Sequence, residues 1–214
     1  NDSLRIHRDV TRELGIRLGM HYSGVIDRRV ADLHPEWMQI EADGSPNTRG
    51  ALCRLGPYLQ EFLIPHMLEI VEKYDVDGFW VDGENWACRP CWCERCRQAF
   101  AEQTGIEAAP TEPGEPHWSE WLAFQRQAFF DYVKAYTEAV HAKKPDCAIC
   151  SNWLYTMRTP DAMEVPVDYL SGDYVLDYGA DRAALEGRVL DQRPLSWDLM
   201  AWAFSASSRR AHVE

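Results

Sequence analysis

The sequence predicts an α/β fold, specifically a (β/α)8 TIM barrel that is incomplete and comprises about strands 3 to 7. Short apolar segments alternate with helical segments along the chain, which is typical of a parallel sheet. Several of these short segments end in polar or aromatic residues, as barrel strands do at the face that carries active sites. No G-x-G-x-x-G turn follows any of them, which disfavours a doubly wound dinucleotide-binding fold.

Helical segments are recognised by apolar residues at helical spacing and by the residues that end them. Gly15 is expected to end the first helix, Pro65 to start or kink the second, and Pro145 to stop the longest one. The predicted helices span residues 3–14, 55–74, 94–104, 118–143 and 180–190. Residues 24–50 are expected to form a long loop, and residues 106–117, with three prolines, to form a connection.

Five short apolar segments are predicted to be the strands of the sheet. They cover residues 16–22, 76–82, 147–152, 169–174 and 198–204. Five strands do not close an eight-stranded barrel, and 214 residues fall short of the roughly 250 of a typical one. We therefore expect one partial barrel domain over residues 1–214, with strands missing at both ends.

The composition limits the classes of function. Hydrophobic residues make up 46% of the chain, which is enough to bury a substantial core. The net charge of −12 disfavours binding to nucleic acid or to an anionic membrane surface. No run of 18 apolar residues occurs, so no transmembrane helix is predicted. Nine Trp and nine Tyr residues suit ordinary core packing, and they also suit a site that stacks on sugar rings.

The second predicted strand ends in a carboxylate, Asp82. Because side chains alternate along a strand, Asp82 shares a face with Trp80, whereas Phe79 shares the other face with Val81. If Phe79 and Val81 face the helices, Asp82 stands at the mouth of the barrel beside an aromatic wall. A retaining glycosidase needs such a carboxylate as the nucleophile that attacks the anomeric carbon. The competing interpretation is that Asp82 and Gly83 form only a turn.

Other polar and aromatic residues lie at or near the ends of predicted strands. A substrate-binding role is predicted for His21, Tyr22, Trp80, Asn152, Trp153 and Trp202. Imidazole and amide groups can bond to sugar hydroxyls, and indole rings can stack on a sugar. Ordinary burial in the core is the alternative for His21 and Trp202.

Four of the seven cysteines lie close together in a Cys-rich loop at residues 84–97. Thiolates at this density suit a structural Zn²⁺ ion, which would pin the loop beside Asp82 and take no part in catalysis. The predicted ligands are Cys88, Cys91, Cys93 and Cys96. An iron–sulfur cluster and disulfide bonds are the alternatives for these four residues.

The remaining cysteines lie outside this loop. Cys53, Cys147 and Cys150 are expected to be ordinary buried thiols. Clustered free thiols favour a reducing compartment, so a cytoplasmic location is predicted. The chain begins with neither a methionine nor an apolar leader, so its true N-terminus is expected to be missing.

Several motifs resemble those of known enzymes. The segment Asp77-Gly-Phe-Trp-Val-Asp-Gly-Glu-Asn-Trp86 resembles the nucleophile strand of the α-L-fucosidases, and residues 16–23 resemble their preceding barrel strand. A bacterial group of hypothetical glycosyl hydrolases related to α-L-fucosidases is more similar still. That group is similar at residues 91–96, 167–174 and 197–204. The resemblance covers most of the chain, roughly residues 10–205.

This resemblance implies that Asp82 is the nucleophile, at the end of barrel strand four. Strands one, two and eight of the barrel would then lie outside the chain. The general acid/base of α-L-fucosidases is a Glu well downstream of the nucleophile, but no matching motif occurs here. The candidate for that role is Asp173, at a predicted strand end, ahead of Glu84, in the loop after Asp82. A residue outside this chain or in a different loop is the alternative.

The sequence therefore predicts a retaining glycoside hydrolase that releases a terminal sugar, without any cofactor in the chemistry. The resemblance implies that this sugar is α-L-fucose. One alternative is a glycosidase of other specificity, such as a galactosidase, and another is a non-catalytic, zinc-stabilised carbohydrate-binding barrel. The expected partners are an oligosaccharide or glycoside substrate and a second copy bound through domains outside this chain, with no nucleic acid and no membrane.

Overall fold

The centre of the computed structural model, which describes residues 2–82, 89–151 and 165–169, is a parallel sheet of three strands. Their order in the sheet is β1-β2-β3. The strands are β1 (Gly19–Ser23), β2 (Gly78–Asp82) and β3 (Ala148–Ser151). Neighbouring parallel strands that follow one another in sequence and are joined by helices are what a barrel segment requires.

The register of the sheet brings the carboxyl ends of the strands to one edge. Gly19 pairs with Gly78 at the start of β1 and β2, and Ser23 pairs with Asp82 at their ends. Strand β3 begins level with Gly78, which pairs with Ala148. A side chain at Gly78 would not fit, because its Cβ would lie 2.5 Å from the carbonyl oxygen of Ala148. The sheet is therefore closely packed at its amino-terminal edge.

Five α-helices are described, and their bounds confirm most of the predicted ones. They are α1 (Ser3–Glu13), α2 (Arg28–Leu33), α3 (Ile64–Tyr74), α4 (Glu94–Thr104) and α5 (Trp118–Lys143). Gly15 follows α1 with a φ of 66°, a conformation that favours glycine and explains why the helix ends there. None of the described helices combines the length and the apolar character that a membrane span needs.

Pro65 marks a change in helical geometry. Residues Leu59–Leu63 form a π-helical turn, and α3 begins at Ile64 with Pro65 in its first turn. Proline is tolerated in this position because the amide groups of a first turn have no partner within the helix. Of the two predicted roles for Pro65, the structure shows that it starts the α-helix.

The long loop predicted at residues 24–50 is wrong in part, because it contains α2 and a 3-10 turn at Pro35–Trp37. Asp27 begins α2 by accepting a hydrogen bond from the backbone N–H of Val30 at 3.0 Å. A helix of six residues is too short to show a clear periodicity, so its N-terminal cap was the better signal. Isolated antiparallel bridges, such as Met38 with Leu52, fold this region back on itself.

The buried side chains form two clusters. The larger one lies between the sheet and helices α3 and α5, and includes Phe79, Val81 and Ile149 from the strands. The smaller one combines four cysteines with three aromatic residues, namely Phe100, Trp121 and Phe124. It lies around α4 and the start of α5, beyond the carboxyl end of β2 along the chain. The helix predicted at 180–190 and the strand at 198–204 lie outside the described residues, as does the strand at 169–174 except for Tyr169.

Candidate active site and thiol cluster

Asp82 is the last residue of β2 and faces away from the helices. Its neighbours Phe79 and Val81 are 1% and 0% exposed and pack in the larger core cluster. Trp80 and Asp82 therefore share the opposite face, which becomes the interior face when a sheet of this kind closes into a barrel. The alternation that the sequence predicted for this strand is confirmed.

His21 joins Asp82 across the two neighbouring strands. The distance from His21 Nε2 to Asp82 Oδ2 is 3.1 Å. The imidazole also lies against the indole of Trp80, with 5.2 Å between ring centroids and an interplanar angle of 35°. The register explains this contact, because His21 pairs with Trp80 and lies on the same face as Trp80 and Asp82. Three of the predicted site residues are thus brought together, and this bond is one that the sequence analysis did not predict.

Tyr22 corrects one of the predicted substrate contacts. It lies on the helix-facing side of β1, is 8% exposed, and belongs to the larger core cluster. Its hydroxyl is 2.7 Å from His66 Nδ1 on α3, and burial raises the pKa of Tyr22 well above its ordinary value. Because side chains alternate, His21 and Tyr22 cannot both face the interior, so Tyr22 has a packing role instead. Ser23, which pairs with Asp82, is the next residue of β1 on the same face as His21.

The other predicted site residues lie outside the part of the chain that the structure describes. They are Glu84, Asn152, Trp153, Asp173 and Trp202, together with the predicted metal ligand Cys88. Their roles therefore stay predictions. Arg89, the first residue described after β2, has its carbonyl bonded to Arg54 Nη1 at 3.2 Å.

Four buried cysteine sulfurs lie close together in the smaller core cluster. The Sγ atoms of Cys53, Cys91, Cys93 and Cys96 all lie within 4.8 Å of one another. Cys53 Sγ is 3.5 Å from the Sγ atoms of both Cys93 and Cys96. The expectation that Cys53 is an ordinary buried thiol, separate from the Cys-rich loop, is therefore wrong. Cys53 precedes Cys93 by 40 positions, so no local spacing in the sequence marks it as a member of the group.

Backbone hydrogen bonds hold the two segments of this thiol cluster together. Cys53 N donates to the carbonyl of Trp37 at 2.8 Å, and Trp92 N donates to that of Ile40, also at 2.8 Å. Cys93 caps the start of α4, and Cys96 lies in its first turn. The loop that contains Trp37 and Ile40 thus forms a bridge between Cys53 and the Cys-rich segment.

The chemistry of the four thiols is that of a site for a soft metal ion. A tetrahedral zinc site with metal–sulfur bonds of about 2.3 Å has sulfur–sulfur edges of about 3.8 Å. The observed sulfur separations agree with that size. Hydrogen bonds from Cys53 and then from Cys91 and Cys96 lower the pKa of Cys93, which favours a thiolate at that position.

Buried hydrogen-bond donors without partners lie close to the thiol cluster in the chain and in space. Within the described part of the protein, these donors are Arg54 Nε and Nη2, Arg95 Nε, Trp121 Nε1 and Gln125 Nε2. Trp121 packs directly in the thiol cluster, and Gln125 Oε1 accepts from the backbone N–H of Cys91 at 3.4 Å. Unpaired buried donors are costly, and thiolates are the negative groups that can offset such donors electrostatically.

Comparison with known proteins identifies the fold. No family model and no curated protein matches the chain, but several solved structures do. Alpha-L-fucosidase isoenzyme 2 from Paenibacillus thiaminolyticus is 26% identical, with a TM-score of 0.58 over 71% of this chain and 23% of that one. The polyextremophilic β-galactosidase from the haloarchaeon Halorubrum lacusprofundi is 17% identical, with a TM-score of 0.65 over 81% of this chain and 32% of that one.

A mutant of Gan42B, a GH42 β-galactosidase from G. stearothermophilus, is 16% identical, with a TM-score of 0.61 over 89% of this chain and 35% of that one. These neighbours are TIM-barrel glycosidases, so the described residues have the fold of a segment of such a barrel. The chain spans about a quarter to a third of the length of these structures.

Proposed function

We propose that the protein is a retaining glycoside hydrolase in which Asp82 is the nucleophile. The observation that carries this proposal is the position of Asp82. Its carboxylate lies at the carboxyl end of a parallel strand, on the face opposite the helices, and contacts the imidazole of His21. Strand ends on this side of a TIM barrel are where catalytic residues lie.

The chemistry of the proposed reaction has two steps. In the first step, Asp82 attacks the anomeric carbon, the glycosidic bond breaks, and a protonated carboxyl group donates its proton to the leaving oxygen. In the second step, water attacks the glycosyl ester of Asp82. The group that donated its proton in the first step, now a carboxylate, takes a proton from that water. Asp173 and Glu84 are the proposed candidates for the second carboxyl group, which should lie about 5–5.5 Å from Asp82 in a retaining enzyme.

The proposed substrate is an α-L-fucoside. The motif around Asp82 resembles that of α-L-fucosidases, and the most similar of the structures described above by sequence identity is an α-L-fucosidase, at 26%. Several other structural neighbours are β-galactosidases, which makes a galactoside the second candidate. A barrel that only binds carbohydrate is the non-catalytic alternative, and the carboxylate of Asp82 at a strand end favours the enzyme over it.

The test is hydrolysis of nitrophenyl α-L-fucoside and nitrophenyl β-galactoside by the full-length protein. We expect Asp82→Gly to lower the rate by roughly 10³-fold or more, because the nucleophile is lost. Azide should restore turnover and yield a glycosyl azide of inverted configuration, since azide attacks from the side that the carboxylate occupied. Asp43→Gly, which alters an exposed carboxylate in a turn, is the matched control and should retain wild-type activity.

The two substrates separate the parts of this proposal. Activity on the galactoside alone would be compatible with Asp82 as the nucleophile, but it would contradict α-L-fucose as the sugar. An Asp82→Gly variant that hydrolyses either substrate at the wild-type rate would contradict the assignment of the nucleophile. Binding of a sugar without hydrolysis by the wild-type protein would favour the non-catalytic barrel.

We also propose that the thiol cluster holds one structural zinc ion, with Cys53, Cys91, Cys93 and Cys96 as its ligands. Bound there, the ion would join the loop of Cys53 to the segment that follows β2, and it would take no part in the reaction. We expect the purified protein to contain about one zinc per chain by elemental analysis. Cys53→Ser should lose most of that zinc, whereas Cys147→Ser, at a buried cysteine of the other core cluster, should retain it.

Two results would contradict the proposed zinc site. Full zinc content in Cys53→Ser would show that Cys53 is not a ligand. The proposed metal site would be contradicted if protein prepared without chelators contains no zinc and its melting temperature does not change when zinc is added.

A further inference from the structure

We propose that His21 is a positioning residue that orients the carboxylate of Asp82, and that its main role is not to bind sugar hydroxyls. This inference rests on the proposed function, because it names the group that holds the proposed nucleophile in place. The observation behind it is the contact of 3.1 Å between His21 Nε2 and Asp82 Oδ2.

The sheet determines where the imidazole lies. His21 pairs with Trp80 in the register, and Ser23, two residues further along β1, pairs with Asp82. The imidazole spans this step diagonally and reaches the carboxylate two residues further along β2. Strands about 4.8 Å apart with a rise of about 3.3 Å per residue put these diagonal Cα atoms about 8 Å apart, which the two side chains can bridge.

Trp80 restricts the other side of the same ring. The indole and the imidazole are 5.2 Å apart between centroids and tilted by 35°, so the ring rests on Trp80 while its Nε2 edge points to Asp82. These two contacts of the imidazole, with Trp80 and with Asp82, set its orientation. The ring therefore has one well-placed donor for the carboxylate.

A carboxylate that attacks through one oxygen benefits from a donor to the other. A hydrogen bond at Oδ2 fixes the rotation of the carboxylate about its bond to Cβ, and therefore the direction of the attacking oxygen. Donation from Nε2 requires the tautomer that carries its proton there, and no proton needs to leave the imidazole during the reaction. The same hydrogen bond can persist when Asp82 is an ester, because that oxygen still accepts.

The test compares His21→Phe in two backgrounds of the full-length protein. In the wild-type background, we expect kcat to fall about 10- to 100-fold with little change in KM, since the lost bond involves a charged acceptor. In the Asp82→Gly background with azide, we expect His21→Phe to change the rescued rate by less than about twofold, because the group that His21 orients is gone. His21→Gln, which retains an N–H donor near the same place, should recover most of the wild-type kcat.

Other results would contradict the positioning role of His21. If His21→Phe lowers the azide-rescued rate as much as it lowers the wild-type rate, or acts mainly on KM, His21 binds the sugar and the positioning role is wrong. If Asp82→Gly is fully active or is not rescued by azide, the assignment of Asp82 as the nucleophile is wrong, and the role of His21 that depends on it is wrong as well. His7→Phe, on the exposed face of α1, is the control, and His21→Ala replaces His21→Phe if the latter does not melt like the wild type.

Discussion

At the scale of single residues, the two-residue period of a strand decides which side chains can act. Phe79 and Val81 are buried against the helices, and the carboxylate of Asp82 follows on the other face. The same period excludes one of the adjacent residues His21 and Tyr22 from the interior face. The sequence placed both at a strand end, and only the observed burial of Tyr22 against α3 shows which one faces the site.

Gly78 offers a test of the sheet at this scale. Gly78→Ala should lower the free energy of unfolding by about 1–3 kcal/mol, because its Cβ would lie 2.5 Å from the carbonyl oxygen of Ala148. Gly19→Ala is the matched control, since Gly19 pairs with Gly78 in the register and has no atom within 4 Å of its added Cβ. Urea unfolding of the two variants measures the difference, and equal effects would contradict the close approach of β2 and β3.

At the scale of elements, an ionic network joins α1 to the segments that precede β1 and β2. Arg8 lies 2.6 Å from Asp77 Oδ2 and 3.3 Å from Asp75 Oδ2. Asp77 Oδ2 also accepts the backbone N–H of Leu18 at 2.7 Å, and Lys144 lies 2.5 Å from Asp75 Oδ1. This network is at the amino-terminal edge of the sheet, opposite to Asp82, and that end of a barrel serves stability.

The network predicts a loss of stability in acid. The hydrogen bond from Lys144 is the main cause that lowers the pKa of Asp75. For Asp77, partial burial raises the pKa, but hydrogen bonds from Leu18 and Arg8 outweigh it and the net pKa is lowered. A carboxylate whose pKa is lower in the folded state stabilises the protein at neutral pH, and this contribution is lost as the pH falls below about 4.

Asp77→Asn should therefore reduce the free energy of unfolding at pH 7 by about 1–3 kcal/mol and should flatten its dependence on pH between 5 and 3. Chemical unfolding of wild type and variant across this range measures both effects. Asp9→Asn, at an exposed position on α1, is the control and should follow the wild-type curve. A variant that loses stability in acid as steeply as the wild type would show that Asp77 does not contribute to this transition.

At the scale of the whole molecule, the described residues form two buried clusters. The larger cluster holds the sheet against α3 and α5, and the thiol cluster holds the loop of Cys53 against α4. Arg54, next to Cys53, bonds the carbonyl of Arg89, where the described chain resumes after β2. If the thiol cluster binds the proposed zinc ion, removal of zinc should affect the stability of the protein before it affects the chemistry of Asp82.

The sequence by itself determined the parallel α/β organisation, the bounds of α4 and α5, and the face that Trp80 and Asp82 share on β2. Each of these depends on local spacing, such as the period of a strand or a helix, or on a glycine or proline at a boundary. Only the tertiary structure decided that His21 contacts Asp82, that Tyr22 contacts His66, and that Cys53 joins the thiol cluster. Those contacts join residues that are far apart in sequence, and they depend on strand register and on the path of a loop, which no local pattern specifies.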